Sequence, residues 1–342
     1  MRIVHVLLTS RFAGSERYAL ELAAAQAAAH DVTLILCKAA ARDSAQAIAH
    51  RVDPSVKIRL VENWLQGWHA RRVIRQLRPD IAHAHLSRAC KSLASLAGVC
   101  VCVGTLHICY KQSQHRTLDG LIAIAPWQLN AIPQRLKNRA VQIDNWTLPV
   151  AASPGARERL RSELGIEPDD FLFGSVGRIE KSKGMDVLIA AHRQLNIPSC
   201  KLVIVGEGSR RNKLQKRLGP GAHLVGFSNE THNWLAAFDG FVSPSRSEPF
   251  GLAMLEAMQA GLPTIATRSE GAKHLMHWIE TDLVPLGDAA ALSQSMRQLQ
   301  TAGQFRKQYS LQSFNYEAQC KLIENFYLAT QRRLRLRLRH KK

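Results

Sequence analysis

Short apolar runs alternate with amphipathic segments along most of this chain. The apolar run IVHVLL is followed by an amphipathic stretch over about residues 16–29, and the next apolar run is VTLILC. Strand-length apolar runs that alternate with segments of helical periodicity predict parallel sheets covered by helices. In the first half we predict a helix over 65–77 and strands over 3–8, 32–37, 81–85, 99–105 and 121–125.

The same pattern starts again in the second half, after a segment with two prolines, residues 144–155, that we interpret as a linker. The strands predicted beyond it cover 171–177, 201–205, 223–225 and 240–243, and the helices cover 185–195 and 209–218. The pattern therefore predicts two parallel-sheet α/β domains over residues 1–150 and 151–312. A C-terminal helix over 313–331 and a basic tail over 332–342 would follow.

The composition suits a folded cytoplasmic protein. Of the 342 residues, 46% are hydrophobic, which is enough for two ordinary cores. The seven cysteines are odd in number and include no C-x-x-C pair, so we expect buried thiols in a reducing compartment and no metal site. The N-terminal apolar run is too short for a signal peptide. The uncharged run over 92–110 is long enough to span a bilayer, but its polar residues and glycines favour a buried strand.

The charge of the chain indicates an anionic partner. Its formal net charge is +19, and seven of the positive charges lie in the last eleven residues, RRLRLRLRHKK. Without those seven charges the balance is still +12. A chain this basic suits nucleic acid, an acidic membrane surface or a phosphorylated glycolipid.

Two segments add apolar groups to this positive charge. The leucines of the tail recur every second residue, which favours an extended segment with leucines on one side and arginines on the other. The predicted helix over 65–77 carries several arginines close to Trp64 and Trp68, a mixture typical of membrane interfaces. We therefore expect both segments to contact an anionic membrane surface.

The segment SPSRSEPFGLAMLEAMQAG, from Ser243 to Gly261, places two glutamates in different settings. Glu248 precedes Pro249, so it should lie in a loop. Glu256 should lie within a short helix that begins near Gly251. The start of this helix would present unpaired backbone amides beside the positive end of the helix dipole. Those amides suit the oxygens of a phosphate or a sugar, and the two carboxylates suit sugar hydroxyls.

Two more loops of the second half follow predicted strands. The loop GRIEKSKG, residues 177–184, contains Arg178 and Lys183, which could contact phosphate oxygens. The turn VGEG, residues 205–208, contains Gly206 and would lie at the carboxyl edge of the sheet, where nucleotides bind in such folds.

Two features stand out in the first half, the loop after the first strand and a pair of histidines. Gly14 lies in the loop after the first strand, and Ser15 is the expected N-cap of the following helix. His83 and His85 project to the same side of their strand. A metal site there would need a third ligand that the local sequence does not supply, so we predict packing and hydrogen bonding for this pair.

Together these segments resemble the motifs of the retaining glycosyltransferases of family 4. Residues 243–261 are similar to the E-x7-E motif of the family, and residues 177–184 to its G-R-x-x-x-x-K-G motif. Residues 13–17 are similar to its G-G-x-E-R loop, with Ala13 in place of the first glycine. The resemblance covers roughly residues 2–330 and implies the GT-B fold, in which two Rossmann-like parallel-sheet domains face each other across a cleft.

The resemblance also implies roles for individual residues. Arg178 and Lys183 would stabilise the charge on the leaving diphosphate, which a divalent metal does in other transferases. Glu248 and His107 would contact hydroxyls of the donor sugar, and Glu256 would bind the ribose diol. Further contacts to the donor are expected from Gly14, Gly206, Phe227, Phe250, Gly251 and Leu252.

The expected function is metal-independent, retaining hexosyl transfer in the synthesis of a bacterial cell envelope. The first domain would bind a lipid-linked or lipopolysaccharide-core saccharide, and the second a nucleotide-sugar, most readily a UDP-sugar. No other cofactor is expected. The enzyme would be peripheral at the inner membrane face. A sugar phosphorylase or epimerase of the same fold and a nucleic-acid-binding protein are the alternatives. No G-x-G-x-x-G motif follows either opening strand, which disfavours a dinucleotide-dependent oxidoreductase.

Overall fold

A computed structural model of the chain describes residues 1–96, 98–279 and 282–339. The chain divides into two compact units. The first unit holds Met1–Asn145 and the chain from Tyr316 onward, and the second unit holds Trp146–Asn315. The chain therefore leaves the first unit once and returns to it with its last helix.

The first unit is built on a parallel sheet. Its strands are β1 (Arg2–Leu7), β2 (Asp31–Cys37), β3 (Lys57–Val61), β4 (Ile81–His85), β5 (Val101–Leu106), β6 (Gly120–Ala123) and β7 (Ala140–Gln142). They pair in parallel in the order β3-β2-β1-β4-β5-β6-β7. Strands β1, β2, β4 and β5 are buried almost throughout, which explains their nearly continuous apolar sequences.

The second unit has a smaller parallel sheet. Its strands are β8 (Phe171–Val176), β9 (Cys200–Val205), β10 (Ala222–Gly226), β11 (Gly240–Ser243) and β12 (Thr264–Ala266). They pair in the order β10-β9-β8-β11-β12. The predicted fold class, two parallel-sheet α/β units, is confirmed.

Helices connect the strands within each unit. Those of the first unit are α1 (Gly14–Ala27), α2 (Gln66–Leu77), α3 (Leu86–Leu93), α4 (Gln112–His115), α5 (Pro126–Ala131) and α6 (Gln134–Lys137). Those of the second are α7 (Ala156–Ser162), α8 (Met185–Leu195), α9 (Arg211–Gln215), α10 (Thr231–Ala237), α11 (Leu252–Gln259), α12 (Glu270–Ile279) and α13 (Ala289–Ala302). The last helix, α14 (Tyr316–Arg339), belongs to the first unit.

The expectation of an extended tail over 332–342 is wrong as far as residue 339, because α14 continues to Arg339. Residues 340–342 lie outside the described residues. Leucine and arginine are good helix formers, and adding residues to an existing helix avoids the cost of nucleation. Arg333 also ties this part of the helix to the first unit, since its guanidinium donates to the carbonyl oxygens of Asn138 and Asp119.

Two further details differ from the predictions, and one agrees with them. The edge strands β3, β7 and β12 were not predicted, because β3 is largely exposed and β7 and β12 have only three residues each. Ser15 is not the N-cap of α1, which begins at Gly14; its hydroxyl donates to Glu16 Oε2 instead. The run over 92–110 contains β5, as predicted, and no described helix is long and apolar enough to cross a bilayer.

Candidate active site

The predicted motifs of the second unit lie together at one edge of its sheet. The loop over 177–184 follows β8, the turn over 205–208 follows β9, and the segment over 244–251 follows β11. Because the strands are parallel, these three loops share the carboxyl edge of the sheet, on both sides of the point where the strand order reverses. This is the edge at which ligands bind in open α/β sheets.

Lys183 and Glu248 form an ion pair across two of these loops. The Lys183 ammonium donates to Glu248 Oε2, and the two side chains are 20% and 13% exposed. The pairing depends on Gly184, whose φ of +64° lies in the left-handed region. A Cβ at Gly184 would lie 1.9 Å from the Pro244 carbonyl oxygen, so only glycine allows the two loops to approach this closely.

A second ion pair, which was not predicted, joins the loop after β11 to the start of α8. Arg246 Nη1 and Nη2 donate to the two oxygens of Asp186 at 2.7 and 2.9 Å. The backbone amide of Arg246 also donates to the Ser182 carbonyl oxygen at 2.8 Å. Burial raises the pKa of Asp186, but its hydrogen bonds and attraction to Arg246 outweigh burial, so the pKa lies below its usual value. The pair therefore remains ionised at neutral pH.

Gly206 allows the turn after β9 to touch the loop after β8. A Cβ at Gly206 would lie 2.0 Å from the Gly177 carbonyl oxygen, and its φ of +146° is one that side chains rarely adopt. Gly208 approaches the Ile179 carbonyl oxygen in the same way, with a Cβ distance of 2.4 Å. The two glycines bring backbone, and no side chains, to this part of the site.

The start of α11 presents the predicted amides. Gly251, with a φ of +102°, is its N-cap, and its carbonyl oxygen accepts from the amides of Met254 and Leu255. The amides of Phe250, Gly251 and Leu252 donate no hydrogen bond within the described part of the chain. They are available to an external acceptor at the positive end of the helix dipole.

The Phe250 loop is fixed from behind by α12. Gly271 donates its amide to the Glu248 carbonyl oxygen at 2.7 Å, and a Cβ on Gly271 would lie 2.4 Å from the Phe250 carbonyl oxygen. The Phe250 ring is buried against His274 and Phe314. Gly271 was not predicted, since its importance follows from a contact between distant segments.

The remaining predicted residues of the second unit occupy separate positions. Arg178 is 59% exposed and pairs with Glu180 at 3.0 Å. Glu256 lies on α11 and Phe227 lies immediately after β10, and both residues are partly buried. The structure thus brings Lys183 and Glu248 into contact and leaves Arg178 extended toward solvent.

Two of the predicted residues, Gly14 and His107, lie in the first unit. Gly14 is the first residue of α1, where Glu16 is buried and accepts hydrogen bonds from Thr9 and Ser15 at 3.0 and 2.9 Å. His107 follows β5 and is 8% exposed. Burial lowers the pKa of His107 to about 3, so its imidazole is neutral at physiological pH.

His107 lies next to a group of buried histidines, of which only the pair His83 and His85 was predicted. His83 and His85 do share a side of β4, but β1 adds His5, and one nitrogen of each of these three lies within 4.8 Å of the others. That spacing is compatible with a metal. Both ring nitrogens of all three are nevertheless within hydrogen-bond distance of a polar atom of Gln26, Thr105, Tyr327 or another histidine. The predicted absence of a metal stays a prediction.

Comparison with known proteins identifies the family. The family model of the group 1 glycosyl transferases matches residues 156–315, and the model of glycosyltransferase family 4 matches residues 12–171. The lipopolysaccharide core biosynthesis glycosyltransferase LpsD of Rhizobium meliloti is 28% identical over 262 residues, which are 73% of each chain.

Solved structures share the fold over nearly the whole chain. Anabaena Alr3699/HepE, solved in complex with UDP-glucose, superposes with a TM-score of 0.77 at 18% identity over 99% of this chain and 100% of that one. WaaG, a glycosyltransferase involved in lipopolysaccharide biosynthesis, gives a TM-score of 0.65 at 17% identity over 96% and 98%. The chain therefore belongs to the family 4 glycosyltransferases and has the GT-B fold.

Proposed function

We propose that this glycosyltransferase transfers a hexose from a nucleotide-sugar, with a UDP-sugar preferred, to a lipid-linked or lipopolysaccharide-core saccharide. The transfer proceeds with retention at the anomeric carbon and without a metal ion. The donor class is supported by the UDP-glucose complex of HepE, and the acceptor class by the names of LpsD and WaaG. The single observation that carries the proposal is the contact between Lys183 and Glu248 at the carboxyl edge of the second sheet.

In the proposed reaction, the bond between the anomeric carbon and the diphosphate oxygen breaks, and a bond from that carbon to the acceptor oxygen forms on the same face. Lys183 and Arg178 neutralise the charge that develops on the diphosphate. The free amides at the start of α11 donate hydrogen bonds to the diphosphate oxygens. The acceptor hydroxyl gives its proton to the leaving phosphate.

The two glutamates orient the donor. Glu248 accepts hydrogen bonds from hydroxyls of the donor sugar, and its ion pair with Lys183 fixes the carboxylate before the donor binds. Glu256, on α11, accepts hydrogen bonds from the two hydroxyls of the ribose diol. Gly14 and His107 supply contacts from the first unit, and Gly206 and Phe227 supply backbone contacts to the nucleotide.

The test is a mass-spectrometric screen of nucleotide-sugars against a bacterial lipid extract, followed by assay of nucleoside diphosphate release. Release that requires the acceptor supports the proposal. Release of sugar phosphate with inorganic phosphate alone would indicate a phosphorylase. The anomeric configuration of the product, measured by NMR, tests retention, and undiminished activity in EDTA tests metal independence.

We also propose that the enzyme binds the anionic inner face of the membrane from the cytoplasmic side, through α2. Trp64, Leu65 and Trp68 are 64, 63 and 49% exposed at the start of this helix. The Arg72 guanidinium lies 6.0 Å from the Trp68 ring centroid. A hollow of about 560 Å³ beside Trp68 is lined by Arg72, Arg75, Gln76 and Arg78. Exposed tryptophans and arginines on one helix suit an interface that is apolar on one side and anionic on the other.

Vesicle flotation tests this surface. The enzyme should float with phosphatidylglycerol vesicles and not with phosphatidylcholine vesicles, and the double variant Trp64→Ser, Trp68→Ser should lose most of this binding. Phe305→Ser, which removes an aromatic side chain that is 43% exposed in the second unit, is the matched control. Equal flotation of the double variant and the wild type would exclude α2 as the contact.

A further inference from the structure

Four buried side chains of the first unit form a continuous line of hydrogen bonds. Gln26 Oε1 lies 2.8 Å from His5 Nε2, and His5 Nδ1 lies 3.1 Å from His85 Nε2. His85 Nδ1 in turn lies 3.2 Å from His107 Nε2. The line begins on α1 and crosses the neighbouring strands β1, β4 and β5 at the end of the sheet where His107 emerges.

Burial makes every imidazole in this line neutral. His5 and His85 have no exposed surface, and burial lowers the pKa of His5 to about 4 and that of His85 well below its usual value. A neutral imidazole has one N–H donor and one unprotonated acceptor nitrogen. Each ring can therefore donate in one direction along the line and must accept from the other.

Gln26 sets that direction. Its Oε1 can only accept, so His5 must carry its proton on Nε2 and present Nδ1 as an acceptor. His85 then donates from Nε2 to His5, and His107 donates from Nε2 to His85. By this reasoning all three rings are the same tautomer, protonated on Nε2.

The last ring of the line differs from the others in having a nitrogen with no partner. His107 Nδ1 forms no hydrogen bond within the described residues, and His107 is the member of the line that reaches solvent. The Tyr18 ring contacts it edge-on, with a centroid distance of 5.0 Å and an angle of 80°. The contact with Tyr18 thus fixes the orientation of the His107 ring, and the hydrogen bond with His85 fixes its tautomer.

We propose that Gln26, His5 and His85 are positioning residues that hold His107 in the Nε2–H tautomer, so that its Nδ1 lone pair accepts a hydrogen bond from a hydroxyl of a sugar substrate. The assignment of a sugar hydroxyl as the partner rests on the proposed function. The assignment of the tautomer does not. An acceptor at this position selects a substrate that offers a donor, and it penalises an analogue whose hydroxyl is replaced by a methoxy group.

His83 provides an internal comparison for this line. It is as buried as His85 and lies two residues before it on β4, but its ring nitrogens contact Tyr327 at 2.6 Å and Thr105 at 2.8 Å. Neither Tyr327 nor Thr105 belongs to the line of hydrogen bonds that ends at His107. A change at His83 therefore disturbs the same buried region without breaking the line.

The direct experiment is NMR of the ligand-free enzyme with ¹⁵N-labelled histidine, in which long-range proton–nitrogen correlations show which ring nitrogen carries the proton. The His107 signal is the one lost in His107→Gln. We expect one slowly exchanging Nε2–H tautomer at pH 7. A protonated Nδ1, a rapidly averaged pair, or copurified metal on the cluster by atomic emission would overturn the proposal.

Variants test whether the line causes this state. In His85→Phe and Gln26→Leu the His107 signal should change to an averaged or opposite tautomer, whereas in His83→Phe it should keep the wild-type pattern. An unchanged signal in His85→Phe would overturn the proposal. The wild-type spectrum decides the tautomer even if a variant does not fold.

Kinetics then separate this proposal from the proposed function. With the donor found in the screen, His85→Phe should lower kcat/KM by about 3- to 10-fold relative to His83→Phe, the effect of losing one oriented hydrogen bond. If the tautomer is as proposed but the two variants have equal kcat/KM, His107 does not bind substrate through Nδ1, and that part is overturned. If no donor is turned over at all, glycosyl transfer is refuted while the NMR result still decides the tautomer.

Discussion

Lys183 and Glu248 hold each other in position before any ligand binds. Their ion pair is partly buried, and the Arg246–Asp186 pair links the loop of Glu248 to the start of α8, directly after the loop of Lys183. Two charged side chains that are already oriented lose little conformational freedom on binding. If the proposed function is correct, a donor meets two side chains that are already oriented.

Replacing Lys183 should affect turnover far more than folding. We expect Lys183→Met to lower kcat by about 10²- to 10³-fold, by analogy with the loss of one oxyanion-stabilising donor. The control is Lys181→Met, which removes an exposed lysine of the same turn and should retain near-normal kcat. Nucleoside diphosphate release measures both, and similar rates for the two variants would remove Lys183 from the site.

Gly184 is required for the contact between the two loops as well as for its own backbone angle. Gly184→Ala should lower the free energy of unfolding by more than Gly155→Ala, because a Cβ at 184 meets the Pro244 carbonyl and a Cβ at 155 meets open space. Both glycines have φ near +65 to +70°, so both variants bear the cost of the left-handed region, about 1–2 kcal/mol. Urea midpoints of the two variants give the difference, and equal values would mean that the Pro244 contact is relieved without cost.

At the level of elements, α14 is joined to the first sheet by a specific buried contact. Tyr327 is fully buried, and its hydroxyl lies 2.6 Å from His83 Nδ1 on β4. Tyr316, at the start of the helix, donates to the Glu21 carbonyl oxygen on α1 at 2.7 Å. The helix is therefore fixed to both the sheet and its first covering helix.

Tyr327→Phe should destabilise the first unit by about 1–3 kcal/mol, since it leaves a buried polar nitrogen of His83 without its partner. Tyr110→Phe is the control, because the Tyr110 hydroxyl is buried without a hydrogen bond to any described residue. Its removal should be neutral or slightly stabilising. Thermal unfolding of both variants measures the contrast, and equal melting temperatures would contradict the assigned role of the Tyr327 hydroxyl.

Elements with a strong local pattern were predictable from the sequence, and elements fixed by their neighbours were not. Strand β4 and helix α8 lie where their apolar runs predict them, because burial on both faces or on one helical face sets the pattern. The pattern of β3 is obscured by its exposed edge position. The two-residue repeat of the tail suggested a strand, but α14, which Tyr327 anchors, continues into the tail as far as Arg339.

The residues of the candidate site also divide into those that a local motif predicts and those whose role depends on distant neighbours. Lys183, Glu248 and Gly206 could be proposed because each lies in a local motif that follows a strand. His5 gave only a weak signal, a histidine in an apolar strand. Its partnership with His85 depends on β1 and β4 being neighbours, an adjacency that strand order decides and local sequence does not.

At the scale of the whole molecule, the buried histidines make stability depend on pH. His5, His83, His85 and His107 all have pKa values lowered by burial. In the unfolded chain each would titrate near 6.5, so below that pH the unfolded state binds protons that the native state does not. The contribution of these histidines to the free energy of unfolding is therefore fully present above about pH 6.5. It decreases as the pH falls toward their native pKa values.

Lowering the pH from 7.5 to 5 should reduce the melting temperature. His5 alone, with its pKa lowered to about 4, accounts for roughly 2 kcal/mol at pH 5. Each kcal/mol corresponds to roughly 2–4 °C for a unit of this size. Calorimetry at low and high salt provides the control, because salt screens the repulsion of the +19 surface charge but not the burial of imidazole. A melting temperature that stays constant to pH 5 would show that these rings are protonated in the native state.

The path of the chain has a consequence for its synthesis. The first unit consists of two separated stretches, with all of the second unit between them. A ribosome therefore releases the strands of the larger sheet early but supplies Tyr316 and Tyr327 only after the second unit. Although the strands of the first unit are translated before any other part of the chain, the first unit can be completed only after the whole second unit has been translated.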